Sequence, residues 1–539
     1  MFSRLPVWLE IGVVVLTAPA VFASCSRPDE GAAADLILLG GQVFDGSGGE
    51  SAPQDVAVTG GRISFVGSAA EAGIEAADSV DLGGLMVTPG FIDMHSHAEL
   101  DEDYGRDGAS FLFQGITTVV LGLDGGGPTD VDGRLRGWAR NGIGVNALTF
   151  VGHGAVRRST LGMEDRAPTD EELGAMKDLV RSGMEEGAFG LSTGLFYTPG
   201  FYATTEEVIE LNSVAAEFGG IYDTHDRDLG ASYEGIGYLN SIREAIRIGE
   251  EAGTPVIFSH FNAQGAANYG RAPEGAALVE AAQARGVEVM AAQHVYTATQ
   301  SSLGAYAIPR WASAGGQEAM LARFADPETR ALLDRQTMEM LAIRGGPEKI
   351  LFADPRPELN GKTLAEVAEA WGSTVPVTVR RILEDGSAAV MNIDLYDIEN
   401  TRYLATKSWM MTCTDGRPPR PDQRITHPRV YGAFTRKLKQ FVLDEGVISM
   451  AFAIRSMTGM GAEFLGLPDR GYIREGMWAD IAVLDRDAIQ DRATFEDPQQ
   501  LSEGTVHVLV NGTFAIRDGV QTDALAGAAI RRGGEVVLP

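Results

Sequence analysis

The chain has 539 residues, 44% of them apolar and 22% charged, a globular balance that excludes wholesale disorder. Its net charge is −30, from 44 Lys and Arg against 74 Asp and Glu, with no basic block. A nucleic-acid binder needs cations to displace phosphate counterions, so that class is excluded. Any anionic substrate must be captured by a local cation against the acidic field.

Residues 1–24 carry Arg4 and then an apolar run over 11–23, short for a membrane span but suited to a signal-peptide core. Phe22-Ala23-Ser24 before Cys25 resembles a bacterial lipoprotein cleavage box, in which Cys25 becomes the lipidated first residue. A plain secretory cut near Ala23 is the alternative. The expectation is an exported protein, periplasmic or attached to the cell envelope, with 25–34 as a polar tether and membrane contact only through a lipid at Cys25. The other cysteine, Cys413, lies in an apolar strand and reads as a packing residue, so no disulfide framework is available.

Segment 35–88 holds short apolar runs closed by glycine, the pattern of strands and tight turns, and 465–539 ends the same way (ADIAVLDRD, TVHVLVNGTFAIRDG, GEVVLP). Neither has strands enough for its own core, so the two are expected to pair as one composite β-sandwich. Between them, 89–464 alternates strand-like and helical stretches. The strand-like runs are LMVTPGFIDMHSH, GITTVVLGLDG, VNALTFVGHG, AFGLSTGL, GGIYDTHDRD, TPVIFSHFNA, VEVMAAQHVYT and TKSWMMTCTDG, eight in all. Eight closes a parallel (β/α)8 TIM barrel. Helices are predicted over 204–218, opened by a Thr204…Glu207 capping pattern, and over 241–252. Residues 300–405 read as an inserted lid with helices at 317–324, 364–371 and 378–383. The glycines at 125–127 lack a P-loop lysine and read as a tight loop.

The histidines gather at strand ends. His95 and His97 end run 1, His153 run 3, His225 run 5 and His260 run 6, while His294 sits late in run 7. Asp124 ends run 2 and Asp415 ends run 8. Barrel active sites form where these ends converge, and residues two apart on a strand project to the same side. His95, His97, His225, His260 and Asp415 together point to a bound metal. Imidazole and carboxylate donors favour Zn2+, as one or two ions, or a similar divalent cation. His153 is balanced between supporting this cluster and a structural role, and His507 belongs to the surface or the sandwich.

The motifs VTPGFIDMHSH, QGITTVV-G, VGHGAVR, GLSTGLFYTPGFYA, THDRD, TDG at 414–416, HPRVYGAF at 427–434 and GYIREGMWADIAVLD resemble the amidohydrolase superfamily. Within it, GLSTGLFYTPG with HPRVYG resembles the D-aminoacylase (N-acyl-D-amino-acid deacylase) family. The resemblance spans nearly everything from Asp35 onward. It implies His95 and His97 as ligands of one metal position and His225 and His260 as ligands of the other. It also implies Asp415 as the carboxylate that takes a proton from a metal-activated water and returns it to the leaving amine. Arg429 would clamp the carboxylate of a small N-acyl amino acid, and Tyr197, Tyr296 and Ser302 would line its pocket. Three positions depart from the family. Asp124 stands where a bridging thiolate is usual, Asn262 replaces a pocket lysine, and the strand 7 Asp-x-Tyr-Pro-Tyr pattern survives only at Tyr296. The expected activity is metal-dependent deacylation of N-acyl-D-amino acids. The alternatives are hydrolysis of D-residue peptides, hydrolysis of cyclic amides, and a non-catalytic exported binding protein. The cyclic-amide enzymes usually carry a carboxylated lysine on strand 4, and no lysine occurs between Lys177 and Lys349.

Overall fold

The computed structural model describes residues 33–538 apart from Glu234. The expected signal sequence and Cys25, where a lipid is expected, lie outside the described residues. Eight parallel strands form the centre: β1 (Phe91–Asp93), β2 (Ile116–Leu121), β3 (Asn146–Thr149, resumed at Val151–Gly152), β4 (Gly190–Gly194), β5 (Ile221–His225), β6 (Val256–Phe258), β7 (Val289–Gln293) and β8 (Met410–Thr412). Successive strands pair in parallel register from β1 to β3 and from β3 to β8. The ring closes between β8 and β1, where Met94 N–H donates to Thr412 O and Asp415 N–H to His95 O. The expected (β/α)8 barrel is therefore present, run for run.

Strand β2, Ile-Thr-Thr-Val-Val-Leu, is buried at every residue, as a strand covered on both faces must be. Ile92, Val120, Leu148, Ile257, Met411 and Cys413 share the barrel's inner cluster, which places Cys413 in packing as its apolar context requires. The glycine-rich turn after β2 is as tight as expected: a side chain on Gly127 would meet Phe150 O at 2.1 Å.

Strands from both ends of the chain join one nine-stranded sheet. Its seam is the antiparallel pair Met86–Pro89 with Ile481–Leu484, in which Val87 faces Val483. Beside the seam, Asp480 accepts from Arg470, from Asn146 Nδ2 (3.1 Å) and from Asn511 N–H (2.8 Å), tying this sheet to β3. His507 belongs to the sheet, its Nδ1 accepting from Asp518 N–H.

The insert after β7 has its own antiparallel sheet (Thr299–Ser302, Ile350–Phe352, Ala389–Asn392). Its core includes Leu303, Phe324, Leu341, Phe352 and Ile382. Helices Gly316–Ala325, Leu364–Ala370 and Val375–Glu384 match the expected ones within a few residues. The insert ends sooner than the expected 405. Helix Ile398–Ala405 packs on Ala272–Ala284, and Leu404 joins the barrel's outer core, so this helix belongs to the barrel.

Candidate metal centre and its cavity

The loops after β1, β2, β6 and β8 bring the donors together. His95 Nε2 lies 3.5 Å from Asp124 Oδ1 and 3.8 Å from Asp415 Oδ1. His97 Nε2 lies 3.3 Å from Asp124 Oδ2 and 3.4 Å from Asp415 Oδ1. His260 Nε2 is 3.9 Å from Asp124 Oδ1. Two overlapping donor sets result, one of His95, His260 and Asp415 and one of His95, His97 and Asp124. His225 stands beside both, its ring 4.6 Å from that of His260 and its Nδ1 3.1 Å from Asp226 O. Three of these residues hold left-handed backbone, Asp124 (φ 54), His260 (φ 30) and Asp415 (φ 48). Side-chain-bearing residues seldom adopt that region, and strain of this kind gathers at functional sites.

These residues fit a divalent cation. Both ring nitrogens of His95, together with His260 Nδ1 and Asp124 Oδ1, are buried without a hydrogen-bond partner among the described residues. Buried polar atoms are normally paired, so imidazole and carboxylate atoms gathered here without partners suit a cation. Burial disfavours the His260 cation and brings its pKa to about 3, leaving a neutral ring ready to donate a lone pair. Burial also disfavours the cation of His95, but Asp124, Asp415 and Asp223 outweigh it and raise that ring to about 9. A cation here would take over the charge compensation that the His95 proton otherwise provides. The donors are nitrogen and oxygen only, and burial pushes the Cys413 thiol well up. The set therefore suits zinc or a comparable divalent ion.

Carboxylates beneath the donors hold them in place. Asp93 accepts from Thr414 N–H (2.8 Å) and His95 N–H (3.3 Å), joining the loops after β1 and β8. Asp223 accepts from Ser192 (2.7 Å) and Ser259 (3.0 Å). Burial raises both carboxyls to about 6. His153 is part of a separate buried group, its Nε2 3.1 Å from Glu207, which also pairs with Arg157. Thr204 caps its helix, but the Glu207 carboxylate turns inward to this group instead of completing the capping box.

The donors open into a cavity of about 690 Å3 lined by Tyr197, Ser302, His225, Asp415 and Arg429, among others. Arg429 Nη1 lies 2.6 Å from Asp415 Oδ2 and 3.1 Å from His294 Nε2, so one end of the expected carboxylate clamp already grips the expected base. Burial tends to raise the Asp415 carboxyl, but Arg429, His260, His97 and His95 hold it far below the usual carboxylate range. Tyr296 corrects the expectation that it lines the pocket. Its hydroxyl faces Pro428 O, and its ring lies beneath Arg436 and against His427 and Phe495. It follows the end of β7, where strand alternation no longer predicts direction. Conversely His294, to which the sequence gives no role, sits 3.9 Å from Asp415. The replaced lysine leaves Asn262 turned away, donating to Thr401.

Residues 393–516 match the amidohydrolase family. A D-aminoacylase of Alcaligenes xylosoxydans xylosoxydans is 34% identical, over 92% of this chain and 98% of the relative. An N-acyl-D-glutamate deacylase of the same organism is 31% identical, over 89% of this chain and 93% of the relative. Among solved structures, N-acyl-D-glutamate deacylase from Bordetella bronchiseptica, complexed with zinc and a phosphonate mimic of the tetrahedral intermediate, superposes with a TM-score of 0.79. The two are 28% identical, and the match covers 93% of this chain and all of the other.

Proposed function

The chain belongs to the D-aminoacylase family of amidohydrolases, and on that footing we propose that it hydrolyses the amide of N-acyl-D-amino acids to a carboxylate and a free D-amino acid. The observation that carries this reading is the convergence of unpartnered imidazole and carboxylate atoms at the barrel mouth, with Asp415 held by Arg429 at the cavity wall.

His95, His97, Asp124, His225 and His260 would hold zinc, as one or two ions, or another divalent cation. Such an ion supplies Lewis acidity and makes water acidic enough to attack near neutral pH. The chain's own part begins with Asp415. Its Oδ2 is fixed by Arg429, and its Oδ1 faces His97 and His95. Its neighbours favour the ionised carboxylate, and Oδ1 stands where it can accept the proton of the attacking water and pass it to the departing amine. Tyr197 packs edge-on against His225, and burial with Asp124 keeps its phenol protonated, a neutral donor for the carbonyl oxygen as charge develops there. Arg429 keeps Asp415 oriented and presents the rest of its guanidinium to the cavity, where it meets the substrate carboxylate.

Asp415→Asn is expected to lower kcat by about a thousandfold or more while metal content stays near that of the wild type. Activity within a few fold of the wild type would remove Asp415 from proton transfer. We also propose export with a lipid on Cys25, supported by the apolar run and small residues before that cysteine. Radiolabelled palmitate incorporated by the wild type and not by Cys25→Ser tests it.

A further inference from the structure

The loop 195–203, which follows β4, carries two side chains packed on His225. Phe196 stacks on that imidazole at 5.2 Å between ring centres, with 16° between the planes, and Tyr197 meets it edge-on at 4.7 Å. The outgoing arm is fixed at its start, where Leu195 N–H donates to His225 O and Tyr197 N–H to Gly194 O, each at 3.0 Å. Phe201 N–H then donates to Tyr197 O at 2.8 Å. The two arms are tied there, so the place of Tyr197 depends on what holds Phe201 and the residues after it.

Arg227, just past the end of β5, does this. Its Nη1 donates to Phe201 O (2.8 Å) and its Nη2 to Ala203 O (3.0 Å). The other edge of the fork grips Glu244: Nε lies 2.9 Å from Oε2 and Nη2 lies 2.9 Å from Oε1. Glu244 stands on helix Tyr238–Ala252 and also accepts from Thr205 Oγ1 at 2.8 Å, where helix Thr205–Ala216 begins. The side chains of Arg227 and Glu244 are each 10% exposed, and Arg227 does not line the cavity of the metal centre. A buried ion pair seldom repays the cost of stripping water from both charges, so apolar packing would serve stability as well. What apolar side chains cannot do is hold a carboxylate and two carbonyls from one rigid plane, as a guanidinium does and a lysine ammonium does not.

We propose that Arg227 is a positioning residue for the reaction: anchored by Glu244, it clamps the returning arm of the loop and so fixes Tyr197 where its phenol meets the substrate carbonyl. The clamp links β5, which carries His225, to the loop after β4, which carries Tyr197, so the metal site and the phenol keep one geometry. The task of Tyr197 rests on the deacylase reading; the clamp rests on the contacts alone.

Arg227→Lys keeps the charge opposite Glu244 and loses the fork. In the metal-loaded full chain it is expected to lower kcat for N-acetyl-D-leucine at least about tenfold while KM stays within about threefold, the mark of a misplaced group that acts in the transition state. In a Tyr197→Phe background the same substitution should change kcat less than about twofold, because the group it positions is already gone. Equal losses in the two backgrounds would make Arg227 a residue of the general scaffold and overturn the proposal, and so would an unchanged kcat. Fluorine NMR of protein labelled with fluorotyrosine reads the clamp without turnover, the Tyr197 signal being assigned by its absence in Tyr197→Phe. Arg227→Lys should shift or broaden that signal, and an unaltered signal overturns the proposal. If Arg227→Lys does not fold, Arg227→Gln combined with Glu244→Gln removes both buried charges together and carries the same expectations. No turnover of N-acetyl-D-amino acids by the wild type, with the Tyr197 signal still displaced in the variant, would defeat the deacylase reading and uphold the clamp.

Discussion

Lys437 is fully buried beside the end of β8, and replacing it should change stability in a pH-dependent way. It opens the π-helical turn Lys437–Asp444, and its Nζ donates to Thr412 on β8 (2.7 Å) and to Ser456 (2.9 Å). Neither partner is a carboxylate, and burial lowers its pKa to about 7. An unfolded lysine titrates near 10.4, so the two states differ by roughly 3.5 pH units, or about 5 kcal/mol. Between about pH 7 and 10 the unfolded chain binds more protons than the folded one, so stability rises with pH. Below about pH 7 the burial penalty is complete. Lys437→Met removes that penalty and two hydrogen bonds of about 1 kcal/mol each. The stranded hydroxyls keep each other, Thr412 and Ser456 being 3.4 Å apart. The variant should therefore be more stable than the wild type by about 2–3 kcal/mol at pH 6 and no more stable at pH 10. Urea midpoints at the two pH values read the difference. A variant destabilised at pH 6, or a difference independent of pH, would refute the reasoning.

Asp124→Cys replaces a hard ligand with a soft one, so zinc should survive chelator dialysis better while manganese is retained less, as read by elemental analysis. Asp480→Asn strips the charge that anchors Arg470 beside Asn146 and Asn511 and should cost about 3–5 kcal/mol, seen as a lower melting temperature.

Most of the barrel and the donor set was legible because barrel chemistry sits at strand ends, and strand ends carry sequence signals. His95, His97, Asp124, His260 and Asp415 each close an apolar run, so the convergence of five distant residues followed from strand order alone. What failed to show depends on loops. Tyr296 lies three residues past the end of β7, where side-chain alternation lapses, and the structure turns it toward Pro428. The grip of Arg429 on Asp415 joins two loop positions, which no periodicity relates. The early end of the insert was hidden for a related reason, since a barrel helix and an insert helix have the same amphipathic pattern.

The central claim is tested most directly by amino-acid release from paired N-acetyl-D- and N-acetyl-L-amino acids, using zinc-loaded protein with Asp415→Asn as control. Turnover of the D substrates alone, lost in the control, is the predicted result. Preferential turnover of the L substrates, or none of either by protein shown to hold metal, would contradict it.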